Sequence, residues 1–459
     1  MTNKRPVSLG QSYTIDIVGM GHSGEGVGRY HDFTVFVPHA LPGEKVKATV
    51  TTVKASYAKA RLEAVLAPAV DRIVPRCPVY ERCGGCQLQH LAYPAQLAAK
   101  RQTVVDALSR IGKLADVVVK PTLAAEEPWR YRNKMQFPVG LAGGRLAVGC
   151  FAQGSHDIID IDDCLIQQAA NNEVARAVRA IVADLGLAPY DERTGRGLIR
   201  HVLGRVGTAS GEVMVVLVTA RAELPQQEAI VNRLRAAVPG LVSIVHNVNS
   251  ERTNVILGRR TATIWGRDTI RDRLGEFVFE ISALSFFQVN SAQAAVLYAQ
   301  TVDYAGLTGR ETVIDAYCGT GTIALFLARR AAKVYGVEVV APAIADAIKN
   351  AAANGIANAE FLVGDAVEVL PALYRQGVRP HAIVVDPPRA GCDPAVLATF
   401  VRMRPGRIVY VSCNPASLAR DLAVLAAEGY TAREVQPVDM FPQTYHVECV
   451  ALVEREDRK

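Results

Sequence analysis

The chain has 459 residues, of which 50% are hydrophobic, enough for about two to four domains with sizeable cores. Residues 1–140 carry 19 basic and 11 acidic residues, so the net charge of +6 comes from the front of the chain. The sequence has neither an apolar run long enough for a membrane helix nor a secretory signal at its start. We therefore expect a soluble, cytoplasmic protein with no membrane partner. The basic front favours a polyanionic partner, although an ordinary solvated surface explains so modest an excess of charge equally well.

The first predicted elements are short strands between residues 10 and 66, separated by glycine-rich turns. These strands are Tyr13–Val18, Phe33–Val37, Lys45–Thr51 and Ala60–Leu66. A small β unit with glycine turns and several lysines is typical of an OB-like barrel, a shape that often binds oligonucleotides. An ordinary β domain with solvated lysines fits this segment equally well.

A group of cysteines follows the predicted barrel. Cys77, Cys83 and Cys86 lie within ten residues, and the other six cysteines of the chain are scattered. An odd number of cysteines in a long chain argues against a secreted disulfide framework. In a reducing compartment the group indicates a metal or cluster site.

The region from these cysteines to about residue 282 is predicted to mix one helix with several strands. Apolar residues at helical spacing predict a helix over Pro94–Leu114. The predicted strands are Lys134–Val139, Leu146–Phe151, Leu198–Val206, Glu212–Thr219, Leu241–Asn247 and Phe277–Ile281. The run from Trp129 to Lys134 alternates aromatic and basic residues, which suits stacking on bases and pairing with phosphates. An edge strand with exposed cations explains that run equally well.

From about Ser285 onward strands alternate with helices, which predicts a doubly wound parallel sheet. The strands are Thr312–Asp315, Lys333–Glu338, Glu360–Gly364, His381–Asp386 and Arg407–Val411. After the first of them, Gly319 and Gly321 form a turn that lets the backbone approach a ligand closely.

Four carboxylates are predicted at the ends of four consecutive strands: Asp315, Glu338, Asp365 and Asp386. Helix capping accounts for one or two such residues but not for the whole set. Because these groups are anionic, they suit a cationic nucleoside cofactor better than a pyrophosphate. S-adenosylmethionine, with its sulfonium and amino groups, is such a cofactor.

A thiol and a carboxylate are candidates for the chemistry. Cys413 comes directly after a buried strand, and Asn414-Pro415 breaks that strand, which directs the thiol towards the ligand edge. Glu448 begins the last apolar strand and is a candidate general base. Cys392 competes with Cys413, but nothing around Cys392 in the sequence indicates activation.

Five motifs now indicate a family. They are Ser-Phe-Phe-Gln-Val-Asn at 285–290, Asp-Ala-Tyr-Cys-Gly-Thr-Gly at 315–321, Asp-Pro-Pro-Arg at 386–389, Ser-Cys-Asn-Pro at 412–415 and His-Val-Glu at 446–448. Over nearly its whole length the chain resembles the RNA uracil-C5 methyltransferases. Its layout is most similar to the 23S ribosomal RNA (uracil-5-)-methyltransferases of Gram-positive bacteria, some of which modify two uridines.

The resemblance implies a three-part architecture. Residues 1–68 would form an OB-like TRAM barrel that binds RNA, and residues 69–284 a central α+β domain carrying an iron–sulfur cluster. Residues 285–459 would form a Rossmann-like α/β domain that uses S-adenosylmethionine, with the helix at about 94–114 packed on it. No obligate protein partner is evident.

The resemblance also implies roles for single residues. Cys413 would be the nucleophile and Glu448 the base. The implied cofactor contacts are Gln288, Tyr317, Thr322, Glu338, Asp365 and Asp386, beside the backbone of Gly319 and Gly321. Thr322 departs from the family pattern, which has Asn at that place.

The cysteines sharpen the expected substrate. Cys77, Cys83 and Cys86, completed by the distant Cys164, resemble the [4Fe–4S] pattern of the ribosomal RNA branch. Four thiolates also bind zinc, and the spacing alone does not decide between the two. Because the transfer RNA enzymes of the family lack these cysteines, the resemblance implies 23S ribosomal RNA as partner.

The expected reaction forms 5-methyluridine. A thiolate that adds to C6 makes C5 nucleophilic enough to take a methyl group, after which a base removes the C5 proton. The uracil must leave its stack, so we expect a single-stranded loop or a flipped uridine. One alternative is an RNA cytosine-C5 methyltransferase, a class that carries a cysteine where this chain has Arg389. The other is a non-enzymatic iron–sulfur RNA-binding module, in which Cys413 and Glu448 would be incidental.

Overall fold

The computed structural model describes residues 5–456, so residues 1–4 and 457–459 lie outside the described part. The first four residues of the predicted domain 1–68 and the last three of the predicted domain 285–459 therefore lie outside the described residues. The first four residues also begin the segment that was expected to lack a secretory signal. The domain limits remain predictions.

The first five strands close into a barrel with the order β1-β2-β3-β5-β4. They are β1 (Ser12–Met20), β2 (Gly26–Tyr30), β3 (Phe33–Val37), β4 (Lys45–Val53) and β5 (Tyr57–Ala67). Alternate residues point inward, and Ile15, Val35 and Val46 are fully buried in the barrel core. The predicted small barrel is confirmed.

The sequence analysis missed β2, because its glycines were read as part of a turn. A Cβ atom on Gly28 would lie 2.3 Å from Cγ2 of Ile15 and 2.7 Å from the carbonyl oxygen of Asp16. Neighbouring chains approach so closely here that a side chain has no room. The glycines therefore belong to a strand at a tight place in the barrel.

The middle of the chain forms a seven-stranded sheet with the order β13-β12-β11-β10-β7-β8-β9, and a separate hairpin pairs β14 with β15. Its elements, in chain order, are α1 (Tyr93–Ala107), β6 (Val118–Val119), β7 (Lys134–Ala142), β8 (Arg145–Phe151), β9 (Ile158–Asp160), α2 (Ala169–Asp184), β10 (Ile199–Val206), β11 (Val213–Thr219), α3 (Gln227–Ala237), β12 (Leu241–Val248), β13 (Arg260–Gly266), β14 (Thr269–Leu274) and β15 (Phe277–Ser282). The six predicted strands of this region are confirmed. The sequence missed β13 because it is an edge strand whose residues are all at least partly exposed.

The last part of the chain forms an eight-stranded sheet with the order β18-β17-β16-β19-β20-β22-β21-β6. Its elements are α4 (Ser291–Ala305), β16 (Thr312–Ala316), α5 (Thr322–Ala328), β17 (Lys333–Glu338), α6 (Ala341–Ala353), β18 (Ala359–Val363), α7 (Ala366–Arg375), β19 (Ala382–Val385), α8 (Pro394–Met403), β20 (Arg407–Ser412), α9 (Pro415–Ala427), β21 (Tyr430–Val438) and β22 (Glu448–Arg455). Strands β16 to β20 are parallel, and β22 inserts antiparallel beside β20. The predicted doubly wound sheet is confirmed, with an antiparallel addition at one side.

Helix α1 packs on this last sheet, although it precedes the middle sheet in sequence. Val104 and Leu108 are buried in the same apolar core as Ile314 of β16. The predicted helix Pro94–Leu114 is shorter than expected, because a π-helical turn over Leu108–Gly112 follows α1. Strand β6 then pairs in parallel with β21 at the edge of the sheet. No helix within residues 5–456 is long and apolar enough to cross a membrane.

Candidate active site

Strand pairing brings Cys413 and Glu448 together. In the antiparallel pair β20–β22, Ser412 is the partner of Cys449. The next register position therefore sets Cys413, just after β20, opposite Glu448, the first residue of β22. Directly opposed residues have their side chains on the same face of a sheet. The nucleophile and the base predicted from the sequence are thus neighbours, and the negative charge of Glu448 raises the pKa of Cys413.

The turn that carries Cys413 is fixed on both sides. The backbone N–H of Asn414 donates to Oγ of Ser412 at 3.1 Å. The Asn414 side chain accepts from the Ala416 N–H at 3.1 Å, which caps α9, and donates to the Arg389 carbonyl at 2.9 Å. These bonds hold the backbone that directly follows Cys413, at the edge of the sheet.

Arg389 is the cation that faces this thiol. Burial and the charges of Glu448 and Asp386 raise the pKa of Cys413, whereas Arg389 lowers it through its charge and a side-chain hydrogen bond, and the net value is about 11. The thiol is therefore mostly protonated in the free protein at neutral pH, and Arg389 favours the thiolate. The sequence analysis used Arg389 only to separate two enzyme classes and missed this contact. The signal was available, since Arg389 closes the Asp-Pro-Pro-Arg motif.

Asp386 acts electrostatically on two buried carboxyl groups, Glu448 and Asp315. Burial raises the pKa of Glu448 well above its usual value, and Asp386 adds to this shift. Burial also raises the pKa of Asp386 to about 6. Asp315 is fully buried, and burial and the charges of Asp386 and Glu338 raise its pKa well above its usual value, against a backbone hydrogen bond from Ala324 that lowers it. A bound cation would relieve all three groups, so the site fits a ligand with positive charge.

The glycine turn after β16 has the backbone expected for close approach to a ligand. Tyr317, Gly319 and Gly321 all have positive φ, of 67°, 54° and 81°. A Cβ atom on Gly321 would lie 2.9 Å from Cβ of Ala347, whereas one on Gly319 would meet no described atom within 4 Å. The turn is therefore closed towards the helices and open towards the sheet edge. Glu338 braces it by accepting from the Gly319 N–H at 3.2 Å.

The remaining predicted cofactor residues line the same edge. Asp365 caps α7 by accepting from the Val367 N–H at 2.9 Å. The hydroxyl of the buried Tyr298 lies 3.4 Å from Oγ1 of Thr322 and is hydrogen-bonded to the side chain of Gln288. Tyr298, which the sequence analysis did not single out, therefore connects two predicted contacts.

An open cavity of about 580 Å³ extends from this edge. Its lining includes Tyr317, Asp365, Pro388 and Cys392. That volume is in the usual range for small-molecule sites. Burial raises the pKa of Cys392 to about 12. Cys392 therefore lines the cavity as an ordinary buried thiol and is not activated.

The four cysteines of the predicted cluster lie in one neighbourhood. Cys77 and Cys164 pack against a small core that includes Cys86 and Tyr131. The charge of Cys83 acts on the pKa of the other three thiols. Within residues 5–456, however, no three metal-binding side chains are arranged so that they could hold an ion together. The donor set fits a thiolate-bound centre, but the side chains are not in coordinating geometry.

A fifth thiol lies beside this group, and the sequence analysis missed it. The Cys150 side chain is hydrogen-bonded to that of Cys83, which lowers the pKa of Cys83 to about 7. The contact arises because Cys83 pairs with Ala152, two residues after Cys150, in an isolated β-bridge. Pairing over such a distance leaves no signal in the local sequence.

The run from Trp129 to Lys134 divides its side chains between two neighbourhoods. Trp129 packs against the core of the cysteine group. Arg130 forms two hydrogen bonds of 2.6 Å with the carboxylate of Asp163, which holds the segment before Cys164. Arg132 instead acts electrostatically on His446, near the base. Trp129 and Arg130 therefore support the cysteine region.

Comparison with known proteins shows the family to which the chain belongs. The family profile described as tRNA (Uracil-5-)-methyltransferase matches residues 92–456, and the TRAM domain profile matches residues 6–62. The chain belongs to the RNA uracil-C5 methyltransferase family. It is 51% identical over 98% of both chains to an uncharacterized RNA methyltransferase of Halalkalibacterium halodurans. It is 48% identical to one of Listeria innocua over 96% of this chain and 97% of the other.

A solved structure supports the same assignment. The chain resembles the tRNA (uracil-54, C5)-methyltransferase of Pyrococcus abyssi in complex with S-adenosyl-L-homocysteine. The two are 30% identical, with a TM-score of 0.78 over 96% of this chain and 99% of the other. This uracil-C5 methyltransferase therefore has the fold of an S-adenosylmethionine-dependent enzyme, with an RNA-binding TRAM barrel at its front.

Proposed function

We propose that the protein methylates C5 of uridine in 23S ribosomal RNA, forming 5-methyluridine through a covalent bond between Cys413 Sγ and uracil C6. The observation that carries this proposal is the register of β20 and β22, which sets Cys413 opposite Glu448. A nucleophile and a base on one face suit a reaction that first adds to a ring and then eliminates. The same proposal puts the reaction in the cytoplasm.

Each residue of the pair has a defined task. Cys413 loses its proton and adds to C6, and Arg389 favours the thiolate that this step needs. Once methylated, C5 carries both the methyl group and its original hydrogen. Glu448 removes that hydrogen as a proton, the Sγ–C6 bond breaks, and the aromatic ring and the thiol are restored. Burial raises the pKa of Glu448, so its carboxylate is a stronger base once it is ionised.

The proposed cofactor S-adenosylmethionine supplies an electrophilic methyl group on a sulfonium. The residues that would hold it are Gln288, Tyr317, Thr322, Glu338, Asp365 and Asp386, beside the backbone of Gly319 and Gly321. Three features support this set. The carboxyl groups Asp315 and Asp386 have raised pKa values, the glycine turn is open towards the sheet edge, and a cavity of about 580 Å³ adjoins Tyr317 and Asp365.

We also propose that Cys77, Cys83, Cys86 and Cys164 hold one [4Fe–4S] cluster. Support comes from the shared neighbourhood of the four thiols and from the packing around Cys86. Anaerobically purified protein should be brown and contain iron and sulfide. Stoichiometric zinc without iron would contradict the cluster.

The substrate has a second candidate, because the Pyrococcus abyssi relative is described as a tRNA (uracil-54, C5)-methyltransferase. The four cysteines favour ribosomal RNA, since the family resemblance associates them with that branch. Against a cytosine target stands Arg389, which occupies the place of the cysteine of cytosine-C5 enzymes and interacts with Cys413.

One experiment separates these possibilities. Purified protein is incubated with labelled S-adenosylmethionine and either 23S ribosomal RNA or tRNA, each from a strain that lacks the modification. We expect label in 23S ribosomal RNA, recovered as 5-methyluridine after digestion. Label in tRNA alone would move the substrate to the second candidate. Recovery of 5-methylcytidine, or no label at all, would overturn the proposal.

A further inference from the structure

The loop over residues 439–447 joins β21 to β22 and ends at the proposed base. Val438 and Glu448 are partners in the antiparallel pair, so the loop starts and ends beside the active site. A shift of this loop would therefore be transmitted directly to the first residue of β22. The contacts that hold this loop therefore help to determine the position of the Glu448 carboxyl group.

Five consecutive carbonyl groups of the loop accept hydrogen bonds, and the donors come from distant parts of the chain. They are Nε2 of Gln293 to Asp439 (3.1 Å), Nδ2 of Asn290 to Met440 (3.1 Å), Nζ of Lys100 to Phe441 (3.1 Å), the Tyr131 hydroxyl to Pro442 (3.1 Å), and the Gln87 and Leu88 amides to Gln443 (3.0 Å each). An irregular loop that is buried must satisfy its backbone in this way. The cysteine-bearing segment, α1 and the start of α4 all meet here.

Gln96 of α1 makes the most complete contact with the loop. Its Oε1 accepts from the Gln443 N–H at 3.1 Å, and its Nε2 donates to Oε1 of Gln443 at 3.0 Å. The same Nε2 lies 3.0 Å from the Leu88 carbonyl oxygen and 2.8 Å from that of Leu91. Gln96 and Gln443 are 1% and 3% exposed, so water cannot replace these bonds.

Gln443 sits at the bend of the loop. Its φ is 69°, a left-handed conformation that glutamine adopts rarely. The contact with Gln96 holds this conformation, because it uses both the backbone and the side chain of Gln443. One turn further along α1, Lys100 forms a fully buried ion pair with Asp439, at the start of the loop. Gln96 and Lys100 thus hold two points of the same loop from one face of α1.

We propose that Gln96, with Lys100 beside it on α1, is a positioning residue that holds the 439–447 loop and thereby places Glu448 for removal of the C5 proton. Neither residue touches the reacting atoms. The inference rests on the proposed role of Glu448 as the base. It goes further by assigning the placement of that base to a helix some 350 residues away in sequence.

The predicted defect is specific to one step. A loosened loop leaves the thiol on β20 and the glycine turn unchanged, so attack on C6 and cofactor binding should proceed. Elimination should be slow, because it requires the Glu448 carboxylate at the C5 proton. A methylated covalent enzyme–RNA adduct should therefore accumulate. A variant that is merely less stable would instead slow all steps together, because less of the protein would be folded.

The test compares Gln96→Met with Gln102→Met in the full-length protein. Gln102 lies on the exposed side of α1 and bonds only to Asp106 among the contacts that the structure describes, so it is a matched control. For Gln96→Met we expect about tenfold slower turnover, a covalent adduct visible on a denaturing gel and unchanged affinity for S-adenosylmethionine. Deuterium exchange of the 439–447 amides should rise. Gln102→Met should behave like the wild type.

A second variant covers the case in which Gln96→Met does not fold. Gln443→Asn removes only the side-chain bond, because asparagine tolerates the left-handed conformation. It should show the same defect more weakly.

Glu448→Gln is run in parallel as the reference for blocked elimination. If Glu448→Gln accumulates no adduct, the proposed function fails, and the inference fails with it. If that variant accumulates adduct while folded Gln96→Met and Gln443→Asn turn over normally without it, the inference alone is overturned.

Discussion

The two halves of the sheet edge that form the proposed site are built in different ways. On the cofactor side, Tyr317, Glu338 and Asp386 each follow or end a parallel strand, and each is placed by its own strand and turn. On the chemical side, Cys413 and Glu448 are 35 residues apart and meet only because β22 inserts antiparallel beside β20. The cofactor half is local in sequence, whereas the chemical half depends on long-range pairing and on a loop held by α1.

This difference has a consequence for substitutions. In the cofactor half, a substitution should lower the affinity for the cofactor in proportion to the hydrogen bonds that the replaced side chain makes. In the chemical half, Cys413 and Glu448 are proposed to act as a unit, so losing one of them should lower the rate by far more than losing a single hydrogen bond would. We therefore expect the largest effect of substitution at the nucleophile and smaller effects at the groups that only adjust the pKa values or the affinity of the site.

The largest effect is expected at Cys413. Cys413→Ala should reduce methyl transfer to background and abolish any covalent enzyme–RNA species, because it removes the proposed nucleophile. Cys392→Ala is the matched control, since Cys392 is buried at the cavity wall and its burial keeps it protonated. Transfer of labelled methyl groups and a denaturing gel measure both variants. If Cys413→Ala and Cys392→Ala lost methyl transfer equally, Cys413 would have no special role and the contrast between the two halves would fail.

The next effect is expected at Glu338, on the cofactor side. Glu338→Ala removes a carboxylate that accepts from the Gly319 and Val340 amides at 3.2 and 2.9 Å. We expect calorimetric affinity for S-adenosylmethionine to fall by about 1–3 kcal/mol, in line with the loss of charge-assisted hydrogen bonds. Glu338→Gln keeps a hydrogen-bond acceptor, so this variant should lose less affinity than Glu338→Ala. Unchanged affinity in Glu338→Ala would refute its place in the cofactor site.

A smaller effect should appear in the pH dependence of cofactor binding. Burial raises the pKa of Asp386 to about 6, so this carboxyl group becomes neutral as the pH falls through that value. A cationic ligand prefers the ionised form, and its affinity should therefore drop about tenfold between pH 7 and pH 5. Asp386→Asn should flatten the profile. Asp393→Asn, a change at an exposed helix cap that lines the cavity, should leave the profile as it is in the wild type.

The smallest effect concerns the thiol itself. Arg389 lowers the pKa of Cys413, so Arg389→Gln should shift the alkylation of Cys413 by iodoacetamide to higher pH and slow it severalfold at pH 8. Peptide mass spectrometry follows Cys413 among the nine cysteines. Arg420→Gln is the control, because Arg420 lies at the cavity near Cys392. An unchanged profile in Arg389→Gln would mean that another group favours the thiolate.

The same contrast explains how much the sequence could predict. The strand–helix alternation, the glycine turn and the carboxylates at strand ends are local signals, and the structure has them in the predicted order. The contact of Cys150 with Cys83 arises from pairing between distant segments, so no local pattern reveals it. The contact of Arg389 with Cys413 was missed although Arg389 belongs to a motif that the sequence shows. Strand β2 was missed for a different reason, because its glycines serve close packing and also look like turn residues.

The central claim is that Cys413 and Glu448 form one unit, with the thiol attacking and the carboxylate completing the reaction. The most direct test is the mass of the species formed by Glu448→Gln with S-adenosylmethionine and 23S ribosomal RNA that lacks the modification. We predict a covalent enzyme–RNA adduct that survives denaturation, carries one added methyl group and maps to Cys413 after digestion. Normal turnover by Glu448→Gln without an adduct, or an adduct at another cysteine, would contradict the account.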